Sequence, residues 1–149
     1  MNAAKTYRSA VGRVTATLTP AMFLTDRLLN CAAALDSFDR KRNGTKNTPL
    51  RTRIQRCVQL AGPYFEAWVG NVDAWLDVIR DARDDVAHNY DWRTSEPIQS
   101  TYFLWRSLYW LFCLCILREA QAPDAVFDRI VAHEQWRWLG RKIQAEVTR

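Results

Sequence analysis

The chain has 149 residues, of which 48% are apolar and 25% charged, with a formal charge of +5. That balance excludes a disordered or low-complexity chain and is enough for one hydrophobic core. Five glycines and five prolines are too few for a many-turned β fold, and no alternating apolar pattern occurs, so the expected class is all-α.

The elements follow in chain order. Residues 3–18 are expected to form a first helix, weakened by its threonines and Gly12. Thr19-Pro20 reads as a helix start, with Thr as N-cap and Pro at the first helical position. From there Met22, Phe23, Leu28, Leu29, Ala32, Leu35 and Phe38 recur at helical spacing, so a helix is predicted to about Arg40. The stretch RKRNGTKNTP (40–49) is polar, basic and holds Asn43-Gly44, the pattern of a loop. Thr48-Pro49 repeats the start signal, and Ile54, Cys57, Val58 and Leu60 carry a helix to Gly62-Pro63.

Pro63 to Val69 is predicted to be a short helical turn. Asn71 caps an amphipathic helix whose apolar stripe is Val72, Trp75, Leu76, Ile79 and Val86, fading near Asn89. DWRTSEP (91–97) is a loop, and Ser95 or Glu96 before Pro97 opens the longest apolar helix, to about Glu119. Pro123-Asp124 starts a further helix holding Val126, Phe127, Ile130 and Val131. QWRWLGRKIQAEV (135–147) is a last short helix or two. The connection lengths suit an antiparallel bundle.

Cys31, Cys57, Cys113 and Cys115 form no CxxC, and Cys113 and Cys115 point to opposite sides of a helix, so no metal site is expected. Buried free thiols in a reducing cytoplasm are the expectation. The first residues, MNAAKTYRSAVGR, lack an apolar leader segment. Ser107–Leu117, the most apolar run, is too short to span a bilayer and is bracketed by Arg106 and Arg118, so it reads as a core helix without a membrane partner.

Charge is unevenly spread. Residues 1–56 hold eleven basic residues against Asp26, Asp36 and Asp39, whereas residues 66–91 hold seven acids against Arg80 and Arg83. The basic half has two readings: a decorated helix surface, or attraction for an anion such as RNA.

Residues 83–88, Arg-Asp-Asp-Val-Ala-His, lie at the end of the Asn71-capped helix. On that helix Asp77, Arg80, Asp84 and His88 follow at spacings of three or four, with Asp81 four after Asp77 and three before Asp84, and the five share one polar stripe. Asp84 is placed to reach the His88 imidazole and fix its tautomer. Arg83, four after Ile79 and three before Val86, sits at the edge of the apolar face, so its guanidinium is expected to point toward whatever packs there. This is either an ordinary solvated helix face or a small kit for phosphodiester cleavage: a histidine to move protons, an arginine to hold phosphate charge and a carboxylate to orient. His133 has no such setting and reads as a residue of the C-terminal helices. No Ser-His-Asp order, HExxH, P-loop or GxGxxG is present.

The segment Arg83 to His88 resembles the signature of the HEPN superfamily, an arginine followed by a polar residue, variable residues and a histidine. LNCAAALDSFDR (29–40), VIRDARDDVAHNYD (78–91) and LFCLCILREAQAPDAVFDRI (111–130) are similar, more narrowly, to the HEPN domain of ApeA-type antiphage proteins. The resemblance spans about residues 20–132 and implies a single HEPN-like helical bundle over 1–149 with short peripheral helices. It further implies a cytoplasmic, metal-independent endoribonuclease that needs no cofactor, works as a homodimer, and cuts tRNA or other RNA in abortive infection. By position, Arg83 would contact the scissile phosphate, Asp84 would orient or assist, and His88 would be general base or acid.

The family's polar position more often holds Asn than Asp, and Asp85 adds a second carboxylate. Lys41, Arg42, Lys46, Arg51 and Arg53 would offset these charges and bind RNA if they border the cleft. ApeA-like proteins carry an N-terminal domain before this one, so the chain reads either as an excised domain, whose partner is an N-terminal regulatory domain or a partner protein, or as a stand-alone relative. Two other readings stand beside the nuclease: a non-catalytic HEPN module for dimerisation or nucleotide or RNA binding, and a structural bundle whose Trp136 and Trp138 dock a partner.

Overall fold

The computed structural model describes residues 2–44, 46–88 and 98–149, with the side chains of His88 and Ile98 outside the description. Within them lie α1 (Ala3–Thr6), α2 (Arg8–Ala16), α3 (Leu24–Asn43), α4 (Leu50–Ala61), α5 (Pro63–Val69), α6 (Val72–His88), α7 (Ile98–Glu119), α8 (Asp124–Ala132) and α9 (Glu134–Val147). The described residues include no strand. The all-α class therefore holds.

Helices α3, α4, α6 and α7 form the centre. α3 lies against α7, α4 and α6, and α4 packs on both α6 and α7. α2 covers one side of α3, while α5 and α9 pair with each other and α9 also rests on α7 and α8. Leu28, Leu35, Phe38, Ile54, Phe65, Trp75, Leu108, Leu111 and Phe127 are fully buried between them. The indole N–H of Trp75 donates to Ser107 Oγ at 3.0 Å, and that hydroxyl donates to the Leu104 carbonyl at 2.7 Å. A polar pair in the core is thus satisfied within the bundle. The apolar cluster runs from Ala3 to Ile143.

Boundaries moved where tertiary contacts overrode local signals. The N-terminal segment breaks at Tyr7, not at Gly12, which lies inside α2. Tyr7 is buried, with its ring 4.4 Å from that of Phe38 and its hydroxyl donating to Glu119 Oε2 at 3.2 Å. Thr19-Pro20 does not start α3. Residues 17–22 form turns held by Arg27, whose guanidinium donates to the carbonyls of Met22 and Thr19, both at 3.0 Å. Thr17 is buried and accepts from the Trp105 indole at 3.2 Å.

The predicted loop at 40–49 is shorter than expected, because α3 carries Arg40 to Asn43. Gly44 ends it at φ 62°, its N–H on the Arg40 carbonyl. Pro49 occupies the N-cap position of α4, one residue off the expectation. Asn71 caps α6 as predicted, Oδ1 accepting from the Ala74 N–H at 3.0 Å. The loop expected at 91–97 and the start signals at Ser95, Glu96 and Pro97 lie outside the described residues. The C-terminal segment is one helix, α9, and His133 is its N-cap, with Nδ1 accepting from the Gln135 N–H at 3.2 Å.

Helix α7 is longer than its most apolar run, and Gln99–Glu119 is long and apolar enough to cross a membrane by length and composition. Some 56% of its most apolar window is buried inside the bundle, which is how a core helix reads. Cys31, Cys57, Cys113 and Cys115 are free thiols, three of them buried and Cys113 partly so. Burial pushes the Cys31 thiol up to about 12 and that of Cys113 up to about 11.

Candidate functional site

α6 is one-sided. Trp75, Leu76 and Ile79 are buried beneath it, while Asp73, Asp81 and Asp85 are exposed. The hydrophobic stripe therefore fixes the rotation of the helix and sets where the motif residues emerge. Arg83 emerges at the boundary, its side chain 40% exposed, as its spacing from Ile79 and Val86 predicts. Its Nη1 donates to Asp84 Oδ1 at 2.8 Å. Arg83 and Asp84 are thus brought together as a partly exposed charged pair at the edge of α6. The His88 side chain, and with it the expected Asp84–imidazole contact, lies outside the described residues, although the backbone of α6 continues to His88.

The rest of the polar stripe is held in ion pairs. Arg80 meets Asp77 at 3.3 Å and Asp81 at 2.9 Å. The hydrogen bond to Asp81 raises its pKa. Arg51 reaches across from α4 to Asp77 at 3.1 Å and Asp73 at 3.2 Å, and these bonds, Asp77 first, raise its pKa as well. Asp77 lies six residues before Arg83 on the same helix, about 9 Å along the axis at about 1.5 Å per residue. Arg51 is therefore held near the start of α6, away from the motif.

The five basic residues expected to bind RNA separate. Lys41 and Lys46 are exposed and make no ion pair among the described residues. Arg42 donates to Glu119 Oε1 at 2.6 Å, a bond that raises its pKa. Arg51 is taken by Asp73 and Asp77. Arg53 is not a surface cation: it is 1% exposed, with Nε 3.0 Å from Asp36 Oδ1 and Nη1 3.1 Å from Asp39 Oδ2. Its place as an RNA ligand is corrected on that ground, since an arginine enclosed between α3 and α4 cannot meet a phosphate. The signal was legible, because Arg53 is three after Leu50 and four before Cys57, on the apolar face of α4. Asp39 likewise follows Leu35 by four on α3.

The reading in which Trp136 docks a partner is also corrected. Trp136 is 4% exposed and stacks on Trp68, ring centroids 4.1 Å apart, while the Trp68 indole N–H donates to the Trp136 carbonyl at 2.7 Å. Trp138 is 40% exposed, with its ring edge-on to Phe103 at 5.9 Å. No group of three or more His, Cys, Asp or Glu side chains able to hold a metal ion occurs among the described residues.

No family model, curated protein or solved structure matches the chain.

Proposed function

We propose that this chain is a metal-independent endoribonuclease module of bacterial antiphage defence, acting in the cytoplasm by abortive infection on tRNA or another RNA. The observation that carries this is the Arg83–Asp84 pair, accessible at the edge of α6, on the helix that continues to His88 five residues later. It is the order of residue types in the HEPN signature that the segment resembles.

The chemistry needs few groups. The ribose 2′-hydroxyl attacks its own phosphate, so the 2′-O–P bond forms and the P–O5′ bond breaks. The histidine takes the 2′-hydroxyl proton or supplies one to the departing 5′-oxygen. Arg83 neutralises the charge that grows on the phosphoryl oxygens, and Asp84, bonded to Nη1, orients it. A homodimer that sets two copies of the helix end side by side would supply both proton-transfer partners.

The experiment is RNA cleavage by purified protein in the presence of EDTA. Wild type yields products ending in 2′,3′-cyclic phosphate. His88→Ala and Arg83→Ala yield none while retaining the helical circular dichroism spectrum. Equal cleavage by wild type and both variants would sink the assignment.

A second reading is favoured by the charge pairing. Arg42, Arg51 and Arg53 are tied to carboxylates, which leaves less free positive charge near α6 than the sequence suggested. A non-catalytic dimerisation or nucleotide- or RNA-binding module fits that arrangement. RNA binding without cleavage, unchanged in His88→Ala, would support it.

A further inference from the structure

Helices α5 and α9 enclose an open groove of about 640 Å³ on a surface formed without α6, a size within the usual range of about 300–1,000 Å³ for binding sites. Two small residues, Ala67 on α5 and Gly140 on α9, are part of its lining. A Cβ at Gly140 would stand 2.6 Å from Trp68 Cδ1, so the indole fills the space directly beneath. Gln144 Nε2 donates to the Trp68 carbonyl at 3.0 Å and fastens α9 to α5 at the groove. The groove is therefore preformed, which lowers the ordering cost of anything that docks there.

Two arginines stand on its rim. Arg137 and Arg141 are exposed, one helical turn apart on α9. Neither side chain makes an ion pair or hydrogen bond among the described residues, in contrast to Arg42, Arg51, Arg80 and Arg83, each of which meets a carboxylate. Asp128, on the neighbouring helix, accepts instead from the Tyr64 hydroxyl at 3.0 Å. An apolar floor with two exposed arginines along one wall is complementary to an apolar stripe flanked by carboxylates.

The aromatic groups argue against a nucleic-acid base as the occupant. Trp68 and Trp136 stack on each other, and Tyr64 stacks on Phe127 with centroids 5.5 Å apart. Their faces are largely taken, whereas base recognition uses open ring faces.

We propose that the α5–α9 groove binds an acidic amphipathic helix of a partner protein, its apolar side chains over Ala67 and Gly140 and its carboxylates on Arg137 and Arg141. The inference does not depend on the nuclease reading.

The test is fluorescence anisotropy of a labelled helical peptide of about sixteen residues, long enough to hold a helix, with leucine on one face and glutamate flanking it. Saturable binding is expected, weakening as salt is raised. Lysine in place of glutamate in the peptide removes it. Arg137→Glu with Arg141→Glu, and separately Ala67→Trp, which puts a bulky side chain into the groove, each weaken binding by about tenfold or more. Arg129→Glu with Lys142→Glu makes the same change of charge outside the groove lining and alters affinity by less than about twofold. Circular dichroism checks each variant, and the surface charge reversals carry the test if Ala67→Trp unfolds.

The proposal is overturned if the glutamate peptide shows no saturable binding, or if the Arg129/Lys142 control loses as much affinity as the rim pair. It is equally overturned if an oligouridylate binds the groove more tightly than the peptide and Ala67→Trp blocks it. Self-association of the purified chain that Ala67→Trp abolishes would assign the groove to a second copy instead.

Discussion

Arg53 Nη1 lies 3.1 Å from Asp39 Oδ2, and each side chain is only 2% exposed. This ion pair joins α4 to α3 in the interior of the bundle. Asp39 also accepts from Arg56 Nη1 at 3.4 Å and from Asn43 Nδ2 at 2.6 Å, so its lone pairs are well used. A buried pair adds little net stability over an apolar pair of the same volume, but removing Asp39 takes from the buried Arg53 one of its two carboxylates and leaves it Asp36 at 3.0 Å. Asp39→Ala is therefore expected to lower unfolding stability by about 3 kcal/mol, read from urea denaturation. Asp39→Leu combined with Arg53→Met should lose much less. A single variant within about 0.5 kcal/mol of wild type would show that the pair is not under tension of this kind.

Gly140 of α9 packs directly on Trp68 of α5. An alanine methyl would meet Trp68 Cδ1 at 2.6 Å and Nε1 at 2.8 Å, and Trp68 cannot retreat without leaving Trp136 and its carbonyl. Gly140→Ala should destabilise by about 2 kcal/mol, the usual range for overpacking, despite the better helix propensity of alanine. Near-ultraviolet circular dichroism should lose part of its tryptophan signal. A stabilised variant with an unchanged spectrum would refute this.

The thiols make stability fall at alkaline pH. Burial raises Cys31 from an ordinary value of 9.0 to about 12 and Cys113 to about 11, and it raises Cys115 also. Above the ordinary value the unfolded chain has released these protons and the folded chain has not. The unfolded state then binds fewer protons, so stability decreases as pH rises. Stability is expected to be intact below 9.0 and to fall between there and about 12. Urea midpoints across that window should decline in wild type and decline less in Cys113→Ala. Tyr7 and Tyr109, both raised chiefly by burial, act in the same direction and should preserve some slope in that variant.

The Arg83–Asp84 contact sets the charge that a phosphate would meet. Asp84→Asn keeps an oxygen to accept from Arg83 Nη1 and removes the negative charge. RNA affinity should rise by roughly threefold, the scale of one exposed charge, with the gain shrinking at high salt. Filter binding in a His88→Ala background separates binding from cleavage. An affinity unchanged at low salt would mean that RNA does not approach Arg83.

The helical periodicities of α6 and α4 were legible because an apolar stripe must be buried, and burial fixes which way every other side chain on the helix points. That is why Arg83 emerges at the boundary of α6, where its spacing put it, and why Asn71 caps the helix. The start of α3 was not legible. Thr19-Pro20 has the right residue types, but Arg27 and Trp105, eight and 86 positions further along, hold residues 17–22 in turns. The extension of α3 through Arg40–Asn43 was missed because basic residues look like loop until Gly44 supplies a left-handed end and Glu119 supplies a partner for Arg42.

By itself the sequence determined the all-α class, the principal helical segments, the amphipathic rotation of α6 and the placement of Arg83 at its edge. These follow from local periodicity and capping, which act between residues close in the chain. Only the tertiary structure decided which charges remain free. Arg51 and Arg53 are alike in sequence and two residues apart, yet one is paired at the surface and the other enclosed in the core, because charge pairing depends on which helices meet. The same packing left Arg137 and Arg141 without an ion pair among the described residues, beside a groove that no single helix could have revealed.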